Sequence, residues 1–406
     1  MTDATTTPTL RLRDEDPRAL RAVGILIWGQ SVLGAQMPVH IILGGLVGHM
    51  LADDPAFATL PITVSVLGCM VTAPGMSWLM GRYGRRLGFL LGALAGALGA
   101  FVSMEAIHQQ DFMLFLLGSA FVGIYWSAHN FYRFAAADMA SDAFRPRAIA
   151  WVLGGGLASA ILGPEIVQLF GEAHEPVPHA GAYEAVIWLN LAGALPFLLL
   201  NIPVPPRRAP TAPRRPLRTL LTAPQVRVAI VCAMVSYGLM NLMMTATPLA
   251  MQACGFDTGE AAGVVQLHVL AMYAPSFFVG GLIARFGPQP VIGAGLAMLA
   301  AAAAVAATGI ELGHFYGALI LLGLGWNFGF VGATSMLASA VAPEDRAAVQ
   351  GLNDFLVMAF VGLASLGSGL LLSFGGWAAV QIAVVPMIVL AAAALLWFTL
   401  ARPATA

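Results

Sequence analysis

Trp126, His129, Asn130 and Arg133 follow one another at i, i+3, i+4 and i+7 inside an otherwise apolar run, a spacing that predicts one shared helix face. Three further apolar runs carry stripes of the same kind: Gln36 and His40; Tyr237, Asn241 and Thr245; and Trp326, Asn327, Phe330 and Thr334. Polar groups turned towards lipid cost several kcal/mol, so these faces are expected to point into a water-filled cavity or towards other helices. In a cavity, Arg133 would be a counter-charge for an anionic or carbonyl-bearing solute, and Trp126 and Trp326 would clamp a flat one. Interhelical hydrogen bonding explains the same stripes, and a snorkelling anchor or gate explains Arg133.

The residues for covalent chemistry are missing. All 19 basic residues are arginine, which excludes the phosphate-binding loop that ends in Lys-Ser/Thr and excludes Schiff-base formation. Neither G-x-S-x-G nor H-E-x-x-H occurs. Cys69, Cys232 and Cys254 are odd in number and far apart, so they imply neither a disulfide framework nor a metal site. An enzyme, a cofactor, a metal ion and a nucleic-acid partner are all unexpected.

Proton coupling needs an ionisable group in a low-dielectric site whose pKa can cross ambient pH. Glu165, directly after Gly163-Pro164, and Asp354, about two turns into its apolar run, are the carboxylates best placed for that role. His40, His129 and His268 are alternatives, and a structural ion pair would account for either acid. Glu165 and Arg133 are unsuited as partners, because helix rise separates them by on the order of 20 Å.

Elements that position such groups must be membrane-spanning helices. The 406 residues are 59% hydrophobic and 10% charged, with a mean hydropathy of +0.82, far from the roughly one-quarter charge of soluble domains. Apolar runs predict spans near 20–49, 57–80, 86–107, 112–136, 147–170, 182–203, 226–251, 260–284, 290–309, 315–341, 347–372 and 377–400. Every arginine except Arg133 falls on one side of these spans, while the loops of the other side hold Asp53, Asp54, Asp111, Glu172, Glu175, Asp257 and Glu311. The positive-inside rule makes both termini cytoplasmic. The expected organisation is a cytoplasmic tail (1–19), a six-helix half (20–203), a Pro- and Arg-rich cytoplasmic linker (204–225), a second six-helix half (226–400) and a short tail (401–406).

Two echoes support the duplication. Arg82-Tyr83-Gly84 after the second span matches Arg285-Phe286-Gly287 after the eighth, and Gly123-Ile-Tyr-Trp126 in the fourth matches Gly323-Leu-Gly-Trp326 in the tenth. Both join span n to span n+6 in the same orientation, at an offset of about 200 residues, which is a parallel repeat.

The loop Ser77-Trp-Leu-Met-Gly-Arg82-Tyr-Gly84-Arg85-Arg86 resembles the G-x-L-a-D-R-x-G-R-R signature of the major facilitator superfamily, with Gly81 in place of its aspartate and Ser77 in place of its first glycine. Asp138, at the end of span four, is then the expected partner for Arg82 or Arg85. Gly154-Gly155-Gly156 and Gly163-Pro164 resemble the superfamily's antiporter motif in part, and Ser119 stands where proton-coupled drug exporters carry an arginine. The resemblance covers the whole chain. It implies an all-α membrane protein of twelve helices in two parallel halves, with a central cavity lined by spans 1, 4, 7 and 10. It further implies a monomer in the bacterial inner membrane that moves a small organic solute by alternating access with proton coupling; a facilitative uniporter and a non-transporting receptor on the same fold are the alternatives.

The arginine distribution makes a direct test available. Reporter fusions after Arg215 and after Ala406 are both expected to read as cytoplasmic, and a periplasmic signal from either would overturn the assigned orientation.

Overall fold

The computed structural model describes residues 16–141, 144–173, 177–202, 217–341 and 343–400; most of the expected tail 1–19 and linker 204–225, and all of the tail 401–406, lie outside them. The described residues form helices and turns, with no strand among them. Eleven segments are apolar and long enough to cross a bilayer: Pro17–Leu51, Pro55–Tyr83, Arg85–Gln109, Phe112–Ala136, Trp151–Phe170, Ala180–Leu199, Pro224–Ala253, Thr258–Phe286, Pro288–Thr308, Leu312–Ala340 and Val349–Leu400. The first ten are spans 1 to 10. The last holds 52 residues, about 78 Å of helix at ~1.5 Å per residue and more than twice the ~30 Å hydrocarbon core. Gly376, at φ 66° and ψ −166°, interrupts it and divides it into span 11 (349–375) and span 12 (377–400), which gives twelve crossings.

The acids of the arginine-free loops have a local reason to be there. Asp54 accepts a hydrogen bond from the Ala56 N–H at 2.9 Å and Asp111 from Leu114 N–H at 3.0 Å. Asp257 and Glu260 form a reciprocal capping box at 2.7 and 2.9 Å. Each closes the exposed N–H groups of a helix entering the membrane and answers the positive end of its dipole. Charge asymmetry in this chain therefore has two sources, arginines held on one side and N-caps on the other.

Both sequence echoes correspond to matching geometry. Gly84 (φ 93°, ψ 157°) and Gly287 (φ 81°, ψ 168°) end spans 2 and 8 in a backbone region that only glycine occupies without strain. Their N–H groups bond Met80 O at 3.0 Å and Ile283 O at 2.9 Å. The arginine two residues before each glycine lies over the aromatic ring that follows it, Arg82 at 5.6 Å from the Tyr83 centroid and Arg285 at 5.1 Å from that of Phe286. Likewise Gly123 brings span 4 so close to span 2 that a Cβ would meet Ser65 O at 2.5 Å, and Gly323 brings span 10 to span 8 with His268 O at 2.6 Å. Small residues allow such backbone approach between membrane helices. The repeat is thus a repeat of turns and close contacts.

The halves touch along two seams, between spans 2 and 11 and between spans 5 and 8. Thr59 Oγ1 donates to Ser365 O at 2.8 Å, joining spans 2 and 11, and Leu67 packs on Gly362 above it. Spans 5 and 8 pass closely enough that a Cβ on Gly156 would lie 3.2 Å from the Tyr273 ring. At the arginine-bearing end the first half has its own aromatic core, in which Phe89, Tyr132 and Phe197 lie 4.8 to 5.4 Å apart.

Valine at Gly84 or Gly287 is expected to cost about 1–3 kcal/mol, because a β-branched residue resists this φ and ψ. Thermal unfolding of each purified variant measures it, and wild-type stability in both would show that the positive φ is dispensable.

Candidate functional site

A cleft opens between the halves, lined by residues of spans 1, 4 and 5 on one side and spans 7 and 8 on the other, with a volume of about 130 Å³. Four of these five spans depart from regular helix at its level. Span 1 tightens into a 3-10 turn over Leu33–Ala35, span 4 turns at Asn130 and Phe131, span 5 at Gly155, and span 8 at Ala274 and Pro275. Irregular backbone is tolerated at membrane depth where protein or a cavity surrounds it. Part of the freed backbone is taken up by side chains: Tyr125 Oη donates to Leu33 O at 2.6 Å.

The cleft walls combine rings, thioethers and amides. Trp126, Tyr237 and Tyr273 provide the rings, Met37, Met240, Met244 and Met272 the sulfur atoms, and Gln30, Asn130 and Asn241 the amides. Asn241 Nδ2 donates to Val361 O at 3.4 Å and Asn130 Nδ2 makes a long contact of 3.6 Å to Cys69 Sγ. Gln30 is 5% exposed. His129 lies between the Tyr125 and Tyr132 rings, 5.6 and 4.8 Å from their centroids, and its Nε2 has no partner among the described residues. Such a surface suits a flat ring system with hydrogen-bonding edges.

Of the residues singled out by spacing, Trp126, His129, Asn130, Tyr237 and Asn241 come together here. Gln36 and His40 do not. Gln36 Oε1 accepts from Asn190 Nδ2 at 2.8 Å and its Nε2 reaches Gly96 O at 3.4 Å, while His40 Nε2 lies 3.1 Å from Ser65 Oγ. They bind span 1 to its neighbours within the first half. The face that span 1 turns to the cleft is Gln30, Gly34, Met37, Pro38 and Ile41, a helical stripe lying one residue round from the polar one. Four of its five members are apolar, so polarity pointed to the wrong face; the i, i+4, i+7, i+11 recurrence from Gln30 was the available signal. Ser159 and Tyr273 were also missed; Ser159 follows the break at Gly155 and Tyr273 directly precedes the one at Ala274 and Pro275, breaks that Gly-Gly and Ala-Pro sequences announce.

Span 10 backs the cleft instead of lining it. Trp326 stacks on Phe330 (5.5 Å, 12°), and both rings meet Tyr237 edge-on at 5.5 and 5.1 Å. Asn327 donates to Met272 O and Ser276 Oγ at 2.7 and 2.8 Å. Trp126 and Trp326 therefore do not face each other as the two jaws of a clamp, since Tyr237 stands in front of Trp326.

The single-face expectation for span 4 fails at Arg133. The turn at Asn130 and Phe131 separates the helix Phe112–His129 from Tyr132–Met139, so Arg133 lies beyond the cleft lining, with its guanidinium 4.9 Å from the Phe134 ring centroid. It remains within electrostatic reach of Asp354 on span 11, with no ion pair between them among the described residues. Asp354 is exposed and accepts from Asn353 Nδ2 at 3.2 Å. Glu165 is also exposed and lies outside the cleft. In the loop after span 2, Arg85 pairs with Asp138 through Nη2 at 2.8 Å and Nε at 3.1 Å; Arg82 is engaged with Tyr83, and Arg86 is exposed.

Against known proteins, the profile of the Major Facilitator Superfamily matches residues 22–326 and 229–406. The chain belongs to this superfamily. It is 40% identical to the riboflavin transporter RfnT of Brucella anthropi over 375 residues, covering 92% of this chain and 94% of that one. It is 31% identical to YdeG, an uncharacterized MFS-type transporter of Bacillus subtilis, over 83% and 82% of the two chains. Among solved structures, the nucleoside transporter NupG superposes with a TM-score of 0.71 at 17% identity, covering 95% of this chain and all of NupG. A bacterial homologue of the lysosomal transporter Spinster, in an inward-facing and unoccupied conformation, gives 0.70 at 16% identity over 97% and 100% of the chains. These two likenesses show the fold, and with the family and its relatives they make this superfamily member a transporter and not an enzyme.

The division of polar residues into packing and cleft groups can be measured. Gln36→Leu removes one of the two acceptors of the buried Asn190 amide, which keeps Val186 O at 3.0 Å, and is expected to lower stability by about 1–3 kcal/mol. Asn130→Leu, which removes only a long sulfur contact, is expected to cost less than ~1 kcal/mol. Thermal unfolding of the two variants decides, and the reverse order would place Gln36 outside the packing.

Proposed function

We propose that this transporter moves riboflavin, or a flat heteroaromatic solute of the same kind, across the inner membrane by alternating access. The observation that carries the reading is the 40% identity to a riboflavin transporter over nearly the full length of both chains. The cleft agrees with it in chemistry: rings and methionines would take the faces of a fused ring system, and Gln30, Asn130 and Asn241 would pair with the carbonyl and N–H groups of its polar edge.

Alternating access fits a single hydrogen bond between spans 2 and 11, from Thr59 at the arginine-free end, and two opposed charges, Arg133 and Asp354, that form no ion pair among the described residues. With the arginine-bearing side and both termini in the cytoplasm, this is an inward-facing monomer whose halves, 20–203 and 226–400, would rock about the cleft. Proton linkage belongs to the same proposal. Asp354 is the preferred coupling acid, since it belongs to span 11 of the second half and is within electrostatic reach of Arg133 of the first, and Glu165 outside the cleft is the alternative.

Counterflow of labelled riboflavin in proteoliposomes is the test. The wild type is expected to exchange labelled for unlabelled solute. Asp354→Asn is expected to keep exchange and lose accumulation driven by a pH gradient, whereas Glu165→Gln keeps both. Absence of exchange would remove riboflavin as the solute, and full pH-driven accumulation by Asp354→Asn would remove Asp354 from coupling.

A further inference from the structure

Building on the flavin-type solute proposed above, we infer that the cleft discriminates by charge, accepting the neutral ring compound and excluding its phosphorylated form. Among the described residues, no Asp, Glu or Arg lines the cleft, and the chain has no lysine. Its polar groups are three amides, the Ser159 hydroxyl, the phenols of Tyr237 and Tyr273, and His129. Gln30 is nine-tenths buried and makes no hydrogen bond among the described residues, which leaves its amide for an uncharged partner. A phosphate bound away from water needs guanidinium or ammonium groups, or a cluster of backbone N–H groups at a helix start. The backbone turns at Asn130 and Gly155 already bond their N–H groups to Trp126 O at 3.1 Å and to Trp151 O and Val152 O at 3.2 and 3.1 Å.

Arg133 is the cation that could defeat this selection. It follows the lining residues His129 and Asn130 on span 4 by about one helical turn, which makes it the charge next to the cleft on that span. Asp354, from the other half, acts on Arg133 and Tyr237 in the opposite sense. A carboxylate within electrostatic reach of Arg133 offsets the attraction of that cation for an anion. A role follows for Asp354 that is separate from carrying a proton: it masks Arg133 from anionic solutes. Removing the carboxylate should turn the mouth of the cleft into an anion site.

Equilibrium binding to the purified full-length chain in nanodiscs tests this, with riboflavin and riboflavin 5′-phosphate as probes and quenching of flavin fluorescence as the readout. The wild type is expected to bind the phosphate on the order of 100-fold more weakly than riboflavin. Asp354→Asn is expected to narrow that ratio about tenfold, and Arg133→Gln added to it to restore the ratio. Equal affinities in the wild type, or a ratio unchanged by Asp354→Asn in protein that still binds riboflavin, would overturn the inference while leaving the transport reading in place. Failure of the wild type to bind either flavin would overturn the solute itself, and the charge selection with it. Should Asp354→Asn not fold, the wild-type ratio alone decides.

Discussion

A peptide group left unpaired in hydrocarbon costs several kcal/mol, so a chain that is 59% apolar must close its backbone hydrogen bonds within each crossing. That restriction produces the helices, and it also governs where they are allowed to fail. The breaks at Leu33–Ala35, at Asn130 and Phe131, at Gly155 and at Ala274 and Pro275 gather around one cleft, where protein surrounds the loosened backbone. Outside it, the turns at Gly84, Gly287 and Gly376 lie at helix ends. The cleft between the halves is therefore the place where this membrane protein relaxes its most general constraint.

Helix contacts within each half depend on a second restriction, since lipid gives apolar side chains no incentive to leave it. Gly123 on Ser65 and Gly323 on His268 bring backbones together without side chains between them, and the buried pair Asn190 and Gln36 ties span 6 to span 1. Between the halves, Thr59 bonds Ser365 O and Leu67 packs on Gly362 along spans 2 and 11, while Gly156 packs on the Tyr273 ring along spans 5 and 8. The cleft between these seams is lined by adaptable methionines.

Much of this was legible in residue order. Length and hydropathy located the spans, and the tripeptides ending in Gly84 and Gly287 announced two identical turns because only glycine takes that φ and ψ. The chain even separates spans 11 and 12 through Gly376, although the helix otherwise runs on. The faces were less legible. Gln36 and His40 stand out in a lipid-soluble run, yet inside a membrane protein a polar residue is as well used for packing as for binding, and the true cleft face reads as Gly, Met, Pro and Ile. Arg133 was misplaced because i+7 assumes an unbroken helix, and the turn at Asn130 and Phe131 lies between it and Trp126. Trp326 was assigned to the cleft by symmetry with Trp126, but Tyr237 occupies the space in front of it.

Alternating access requires the tie at the arginine-free end to break in every cycle. Cysteines at positions 59 and 365, in a chain whose Cys69, Cys232 and Cys254 are replaced by serine, would join spans 2 and 11 where Thr59 now donates to Ser365 O. Measuring riboflavin counterflow in proteoliposomes before and after reduction of that disulfide tests the mechanism directly. Exchange should be abolished in the oxidised protein and return on reduction. Undiminished exchange in fully cross-linked protein would contradict a cleft that opens alternately on its two sides.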